Sequence, residues 1–274
     1  MRPPPPLDAL TPFERFAVRL VGRMQRGAWQ RFWFWGERQI GARWIEAALG
    51  PLLEVHGLDH VSATTRDRPV ILIANHRSFF DLYVAMSTLF RRLPGWRSTC
   101  FPVRGRYYYQ TVGGLLLNGI AAWWSMYPPF FHEPRCRRFD QWALTHLGDL
   151  AREGPGRLIG FHPEGTRNKG TDPYSFLPTQ PGIGRLMHEA RPQVVPAFIA
   201  GLGNNLPEIV SRRWRGGERV RLWFGPPVDY AHLVDLPPDR STHRVLADLA
   251  MSKVADLAVL DRAAQSLNRD LSRP

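Results

Sequence analysis

Two short segments carry residue types that could move a proton and grip an anion. The first is Asn75-His76-Arg77-Ser78-Phe79-Phe80-Asp81, where an imidazole precedes a carboxylate by five positions. A neutral imidazole, with a pKa near about 6.5, can take a proton from an alcohol near neutral pH, and a carboxylate on its other nitrogen would hold the tautomer. A helix turns about 100° per residue, so His76 and Asp81 would diverge by roughly 140° if both were helical, and they converge better if His76 lies in a turn. Ser78 can then cap a helix starting at Phe79, with Asp81 in its first turn. The same residues have a plainer reading as a capping box, in which Asp81 only answers a backbone N–H. The second segment is Phe161-His162-Pro163-Glu164-Gly165-Thr166-Arg167-Asn168-Lys169-Gly170. It offers glycines that let a backbone approach, a hydroxyl, and in Arg167 a fork for phosphate oxygens. It is not a P-loop, and Gly201-Leu202-Gly203-Asn204-Asn205-Leu206 misses the last glycine of a dinucleotide fingerprint. By itself this second segment reads equally as a surface turn.

Both segments follow an apolar run. Val70–Ala74, Arg157–Phe161 and the stretches 99–103, 194–200 and 219–224 alternate with helical patterns. That alternation predicts an α/β fold: a mixed, mostly parallel sheet flanked by helices, with both segments at carboxyl ends of strands, where ligands gather. Residues 1–50 are expected as a basic, aromatic, amphipathic helical segment and residues 51–274 as the α/β domain. Through 9–49, arginines such as Arg19, Arg23 and Arg38 mix with Trp29, Trp33, Trp35 and Trp44. This suits helices at the headgroup level of a membrane, and equally a helical layer packed on the domain. Residues 107–131 run for 25 positions without a charge, but Gln110, Asn118, Ser125 and Pro128-Pro129 interrupt them. Buried or membrane-seated helices are expected there rather than a span. Leu246, Leu249, Val254, Leu257 and Leu260 mark a core-covering helix over 242–267.

A chain of 274 residues, 44% hydrophobic and 22% charged, holds one or two globular domains and is neither disordered nor fibrous. Lys+Arg 36 against Asp+Glu 24 leaves +12, and only Lys169 and Lys253 are lysines. Guanidinium on that scale points to anionic partners. No helix-turn-helix, zinc-finger or RNA-binding signature accompanies it, so nucleic acid is not expected. Cys100 and Cys136 could form one bridge at most and lack metal-ligand spacing, and the four prolines of the N-terminus suggest a short polyproline leader rather than a cleaved signal.

Taken together, Asn-His-x4-Asp and Pro163-Glu164-Gly165-Thr166-Arg167, with Glu164 following His76 by 88 positions, resemble the paired motifs of the lysophosphatidic acid acyltransferase group of the glycerolipid acyltransferases. The likeness covers about residues 55 to 225 and extends to Arg104 and Arg106, near the family's basic position after the second strand, and to Val195-Pro196-Ala197-Phe198-Ile199. It implies acyl transfer from acyl-CoA or acyl carrier protein, as co-substrate, to a hydroxyl of a lysophospholipid such as lysophosphatidate. No metal or other cofactor is implied. His76 would be the base, Asp81 its orienter, and Glu164, Gly165, Thr166, Arg167, Arg104 and Arg106 would bind substrate. An anionic membrane surface is the implied partner, with the protein peripheral or monotopic on its cytoplasmic face, and 107–124 is expected to line an acyl groove. The chain departs from the pattern at His162, where the family has Phe, and at Asn168, where it commonly has Ser. The intermediate block is poorly matched, with Arg135 its weak candidate, and the lysine usual after Phe176 is missing.

Two other classes remain. A His-dependent lipid esterase would release free fatty acid, but the chain lacks a Gly-x-Ser-x-Gly elbow. A non-catalytic basic membrane or nucleic-acid binder would make no demand on His76.

Overall fold

In the computed structural model, which describes residues 4–64 and 68–271, the five apolar runs become the inner strands of a seven-stranded sheet. The strands are β1 (Leu53–His56), β2 (Val70–Ala74), β3 (Ser98–Arg104), β4 (Met126–Phe130), β5 (Arg157–Phe161), β6 (Gln193–Ala200) and β7 (Val220–Phe224), in the order β1-β7-β6-β2-β5-β3-β4. Every neighbouring pair is parallel except β6 and β7. Pro3, the first of the leader prolines, lies outside the described residues.

Every residue of β2 is buried, as a strand covered on both faces requires. Val70, Leu72 and Ala74 belong to one apolar cluster, while Ile71 and Ile73 belong to the other. The period-two alternation of side chains thus feeds one core on each face. The first core takes its helices from α1 (Pro12–Met24), α2 (Gly27–Gly36), α3 (Ala42–Leu49) and α5 (Asp81–Arg92), where α4 is the short turn Leu58–Ser62. A π-helical turn, Glu37–Gly41, joins α2 to α3. Val18 and Val21 of α1 and Ile45 and Leu49 of α3 are buried in this core, so the N-terminal helices pack as a layer on the sheet. The second core is closed by α9 (Gly182–Ala190) and α11 (Arg240–Leu271), and α8 (Arg137–Arg152) contributes to both.

The uncharged stretch 107–131 departs from the expectation of helices throughout. It holds the end of α6 (Gly105–Tyr108), then α7 (Val112–Ala121), and then edge strand β4. Two prolines are tolerated in β4 because one side of an edge strand has no partner to receive its N–H groups. Among the described residues no helix is long and apolar enough to cross a membrane. α7 does not line an apolar groove: Val112, Leu116, Leu117 and Ile120 project to the exterior, Ile120 at 75% exposure. α10 (Leu206–Arg215) completes the helices.

Candidate active site

The register Ile73↔Phe161 sets β2 and β5 side by side, so the residues leaving both strands emerge at one edge of the sheet. Asn75, fully enclosed, continues the ladder with its side chain: Nδ2 donates to Ile199 O at 2.9 Å and Ile199 N donates to Oδ1 at 2.8 Å. An amide side chain can copy both halves of a backbone pair, and this one holds the end of β2 against β6. His76 then leaves the sheet in irregular backbone, outside the helix as the sequence requires. The helix that follows begins at Asp81 rather than Phe79, after a bend at 77–78 and a turn at 79–80. Ser78 does not cap it, because its hydroxyl donates to Gly203 O at 2.6 Å and accepts from Phe80 N.

Asp81 is placed for both tasks that the sequence left as alternatives. Its Oδ2 accepts from Arg77 N and Ser78 N, each at 2.7 Å, and stands 3.4 Å from His76 Nδ1. A carboxylate beside Nδ1 places the ring proton there and leaves Nε2 as the basic nitrogen. Such contacts are commonly long before substrate binds. Burial, followed by the charge of Arg167, pushes His76 well below the usual histidine range, so the imidazole is neutral near pH 7. Burial pushes Asp81 upward, opposed by the positive charge available on His162 and by the two backbone N–H donors.

The second segment is bound directly to the first. Glu164 is buried; its Oε1 accepts from His76 N at 2.7 Å and its Oε2 from Leu177 N at 2.8 Å. Asn168 N donates to His76 O at 2.7 Å. Glu164 is therefore a brace for the histidine turn, with both oxygens committed. Gly165 sits at φ 68°, and a Cβ there would lie 2.9 Å from the side chain of Gln180, so the bend needs glycine twice over. Arg167 lies with its guanidinium 3.7 Å above the Phe79 ring. The Gly-Asn stretch that fails as a dinucleotide fingerprint is a second brace, since Asn204 Oδ1 accepts from Phe79 N at 3.0 Å.

His76, Gly165, Thr166 and Arg167 line one cavity of about 440 Å³, within the range of small-molecule sites. Arg104, Lys169 and His132 add positive or titratable groups to its wall, while Leu82, Phe101, Val103, Met126, Phe130 and Leu144 supply an apolar lining. Asp81 and Glu164 stand behind this wall. Arg106 lies exposed on α6 and does not line the cavity. Arg135 is also elsewhere: it pairs with Glu14 and Glu133, and Glu14 is the buried capping-box acid of α1. Burial alone would raise that acid, but hydrogen bonds from Arg135, Thr11 and Gln110 bring it to about 2. Tyr107, the first residue of the stretch expected to line an acyl groove, is in this wall, whereas His132 and Leu144 were not foreseen there. Their sequence neighbourhoods resemble ordinary core or loop, and only the packing of α6, β4 and α8 against the strand ends brings them together.

Ligand atoms of His76, Asp81 and His162 lie within 4.8 Å of one another. The two rings are stacked, however, with centroids 3.8 Å apart and planes 9° from parallel. A metal ion sits in the plane of a coordinating imidazole at about 2.0–2.1 Å, so in this arrangement one ion cannot serve both rings.

A sequence model described as Acyltransferase matches residues 52–200. Among curated proteins, a 1-acyl-sn-glycerol-3-phosphate acyltransferase of Chlamydomonas reinhardtii is 26% identical over 214 residues, 77% of this chain and 55% of that protein. The chain thus spans about half the length of that relative. Among solved structures, the 1-acyl-sn-glycerophosphate (LPA) acyltransferase PlsC of Thermotoga maritima superposes with a TM-score of 0.50 at 14% identity, covering 90% of this chain and 95% of that one. This second likeness concerns the fold.

Proposed function

The chain belongs to the acyltransferase family, and from that premise we propose that it moves a fatty acyl group from a thioester, acyl-CoA or acyl carrier protein, to a hydroxyl of a lysophospholipid such as lysophosphatidate. One observation carries the reading. The imidazole backed by Asp81 and the bend holding Arg167 are clasped through Glu164 into the wall of a single cavity, where the charge of Arg167 reaches His76. His76 Nε2 takes the proton of the acceptor hydroxyl as its oxygen attacks the thioester carbonyl. The tetrahedral intermediate collapses, the carbon–sulfur bond breaks, and the departing thiolate takes the proton back from the imidazolium. Asp81 steadies that imidazolium, and substrate supplies the nucleophile that a hydrolase triad would draw from serine.

Arg167, Arg104 and Lys169 give the acceptor's phosphate its cationic partners, Arg167 as a planar fork held flat on Phe79. Replacing Arg167 by alanine is expected to raise the KM for a phosphate-bearing acceptor by roughly 10-fold or more, the value of a charge-assisted hydrogen bond, with little change in the KM for the thioester. Initial rates with each substrate varied in turn check this. A rise confined to the thioester would reassign the bend to the donor.

The wider reading places the protein on the anionic, cytoplasmic surface of a membrane. Exposed Val112, Leu116, Leu117 and Ile120 on α7, and Trp29, Phe32 and Trp35 on α2, supply the apolar surface. Trp33 of α2 packs on Trp123 and Trp124 at the end of α7, which brings the two helices together. Arg15, Arg19 and Arg23 recur every four residues along α1, each attracting anionic lipid by about 1 kcal/mol near the surface. Deleting residues 1–50 would strip the core of Val21, Ile45 and Leu49, so point changes are the cleaner test. The pair Leu116→Asp and Ile120→Asp is expected to move the protein off anionic vesicles in sedimentation, and unchanged binding would remove α7 from the membrane contact.

The direct assay incubates purified protein with labelled acyl-CoA and a panel of lysolipids, read by product mass. An acylated lysophosphatidate is the expected result. Acyl transfer to none of the panel would overturn the proposal.

A further inference from the structure

The proton transfer above makes no use of His162, although its ring lies flat on the base. Its Nδ1 is 2.9 Å from Ala74 O at the end of β2. A carbonyl only accepts, so Nδ1 carries the hydrogen and the ring is pinned to the backbone. The pinning follows from the sheet. His162 comes directly after Phe161, whose register partner is Ile73, so the next residue of β5 reaches the next carbonyl of β2. His76 emerges two residues past Ala74, the end of β2, and its ring stacks on that of His162, with centroids 3.8 Å apart and planes 9° from parallel.

Besides the stack, the His76 ring is held at its edge alone, by Asp81 and by the backbone at Ser78. Asp81 meets its edge at 3.4 Å, and Glu164 and Asn168 hold its backbone rather than its ring. We propose that His162 is a positioning residue for acyl transfer, a pinned flat wall that sets the plane of the His76 imidazole and so aims Nε2 at the acceptor hydroxyl. This rests on the acyltransferase reading of the same site. The geometry also demands that His162 work uncharged, because a cation stacked on His76 would oppose the imidazolium that forms during transfer. The surroundings agree. Burial and the neighbouring His76 hold His162 low, against the pull of Asp81 at the head of α5 and of the backbone at Ala74 and Asn75, while Arg167 acts on His76 and Arg77 on Asp81.

The wall and the pin separate by substitution. His162→Ala removes both. His162→Phe keeps an aromatic face and loses only the hydrogen bond to Ala74 O. A misaimed base costs rate rather than binding, so His162→Ala is expected to lower kcat by roughly 10- to 100-fold with the acceptor KM within about twofold of wild type, and His162→Phe to regain most of that loss. Wild-type kcat in His162→Ala, a change in KM alone, or a phenylalanine variant as slow as the alanine one would each overturn the proposal. Circular dichroism and melting checks each fold. If the alanine chain fails to fold, His162→Asn, which keeps a donor but no ring face, replaces it with the same expected loss. A wild-type protein that transfers no acyl group would instead overturn the acyltransferase reading, so the two failures are distinct.

Discussion

Replacing His76 by alanine lowers kcat for acyl transfer by about 10²- to 10⁴-fold, the usual contribution of a positioned general base, while melting temperature and acceptor KM stay near wild type. The separation of activity from stability follows from which atoms do which work. The clasp between the two segments uses the backbone of His76, whose N–H donates to Glu164 and whose carbonyl accepts from Asn168 N, and alanine keeps both groups. Only the ring is lost. Its side chain is 19% exposed at the cavity wall, so little core packing goes with it. Asp81 offers the contrast: it is buried and holds Arg77 N and Ser78 N in addition to the ring, so Asp81→Ala lowers stability and rate together. Steady-state kinetics with thermal melts of both variants check this pairing. Near-normal turnover in His76→Ala would remove the imidazole from the mechanism.

Glu37→Gln raises stability by about 3 kcal/mol at pH 7 and by nothing near pH 4. Glu37 opens the π turn between α2 and α3, is 1% exposed, and accepts one hydrogen bond, from Ser125 Oγ at 2.9 Å. Burial, only partly offset by that bond, raises its carboxyl from 4.5 to about 8. The folded chain therefore keeps the proton while the unfolded chain releases it. Stability falls as pH rises from 4.5 toward 8 and is flat above, where the carboxyl is ionised in both states. Glutamine keeps an oxygen for Ser125 and has no proton to lose. Urea unfolding from pH 4 to 9 checks the result: the wild-type free energy declines across the interval and the variant's declines less, the gap opening as pH rises. Parallel curves would show that Glu37 is ionised within the fold.

The five strands legible in the sequence are the five interior ones, and the two it did not reveal, β1 and β4, are the two edges. Interior strands covered on both faces must be continuously apolar, so Val70–Ala74 announces itself. Leu53–His56 pairs on one side only and mixes charge with apolar residues, and Met126–Phe130 carries two prolines that an interior strand would reject. The candidate pair, His76 and Asp81, and the Glu-Gly-Thr-Arg bend were legible because each is local. The identity of their supports was not. Asn75 acting as a strand partner for Ile199, and Gly203 with Asn204 bracing the histidine turn, join residues more than a hundred positions apart. The outward face of α7 was hidden for the same reason, since a run without charges looks alike whether it meets core, lipid or water.

The most direct measurement follows thiol release from the thioester with and without lysophosphatidate, while the mass of the protein is monitored. Attack by the acceptor's own hydroxyl predicts that thiol appears only with acceptor, mole for mole with the new ester, and that the protein never gains an acyl group. Thiol released without acceptor, matched by free fatty acid or by an acylated protein, would contradict it.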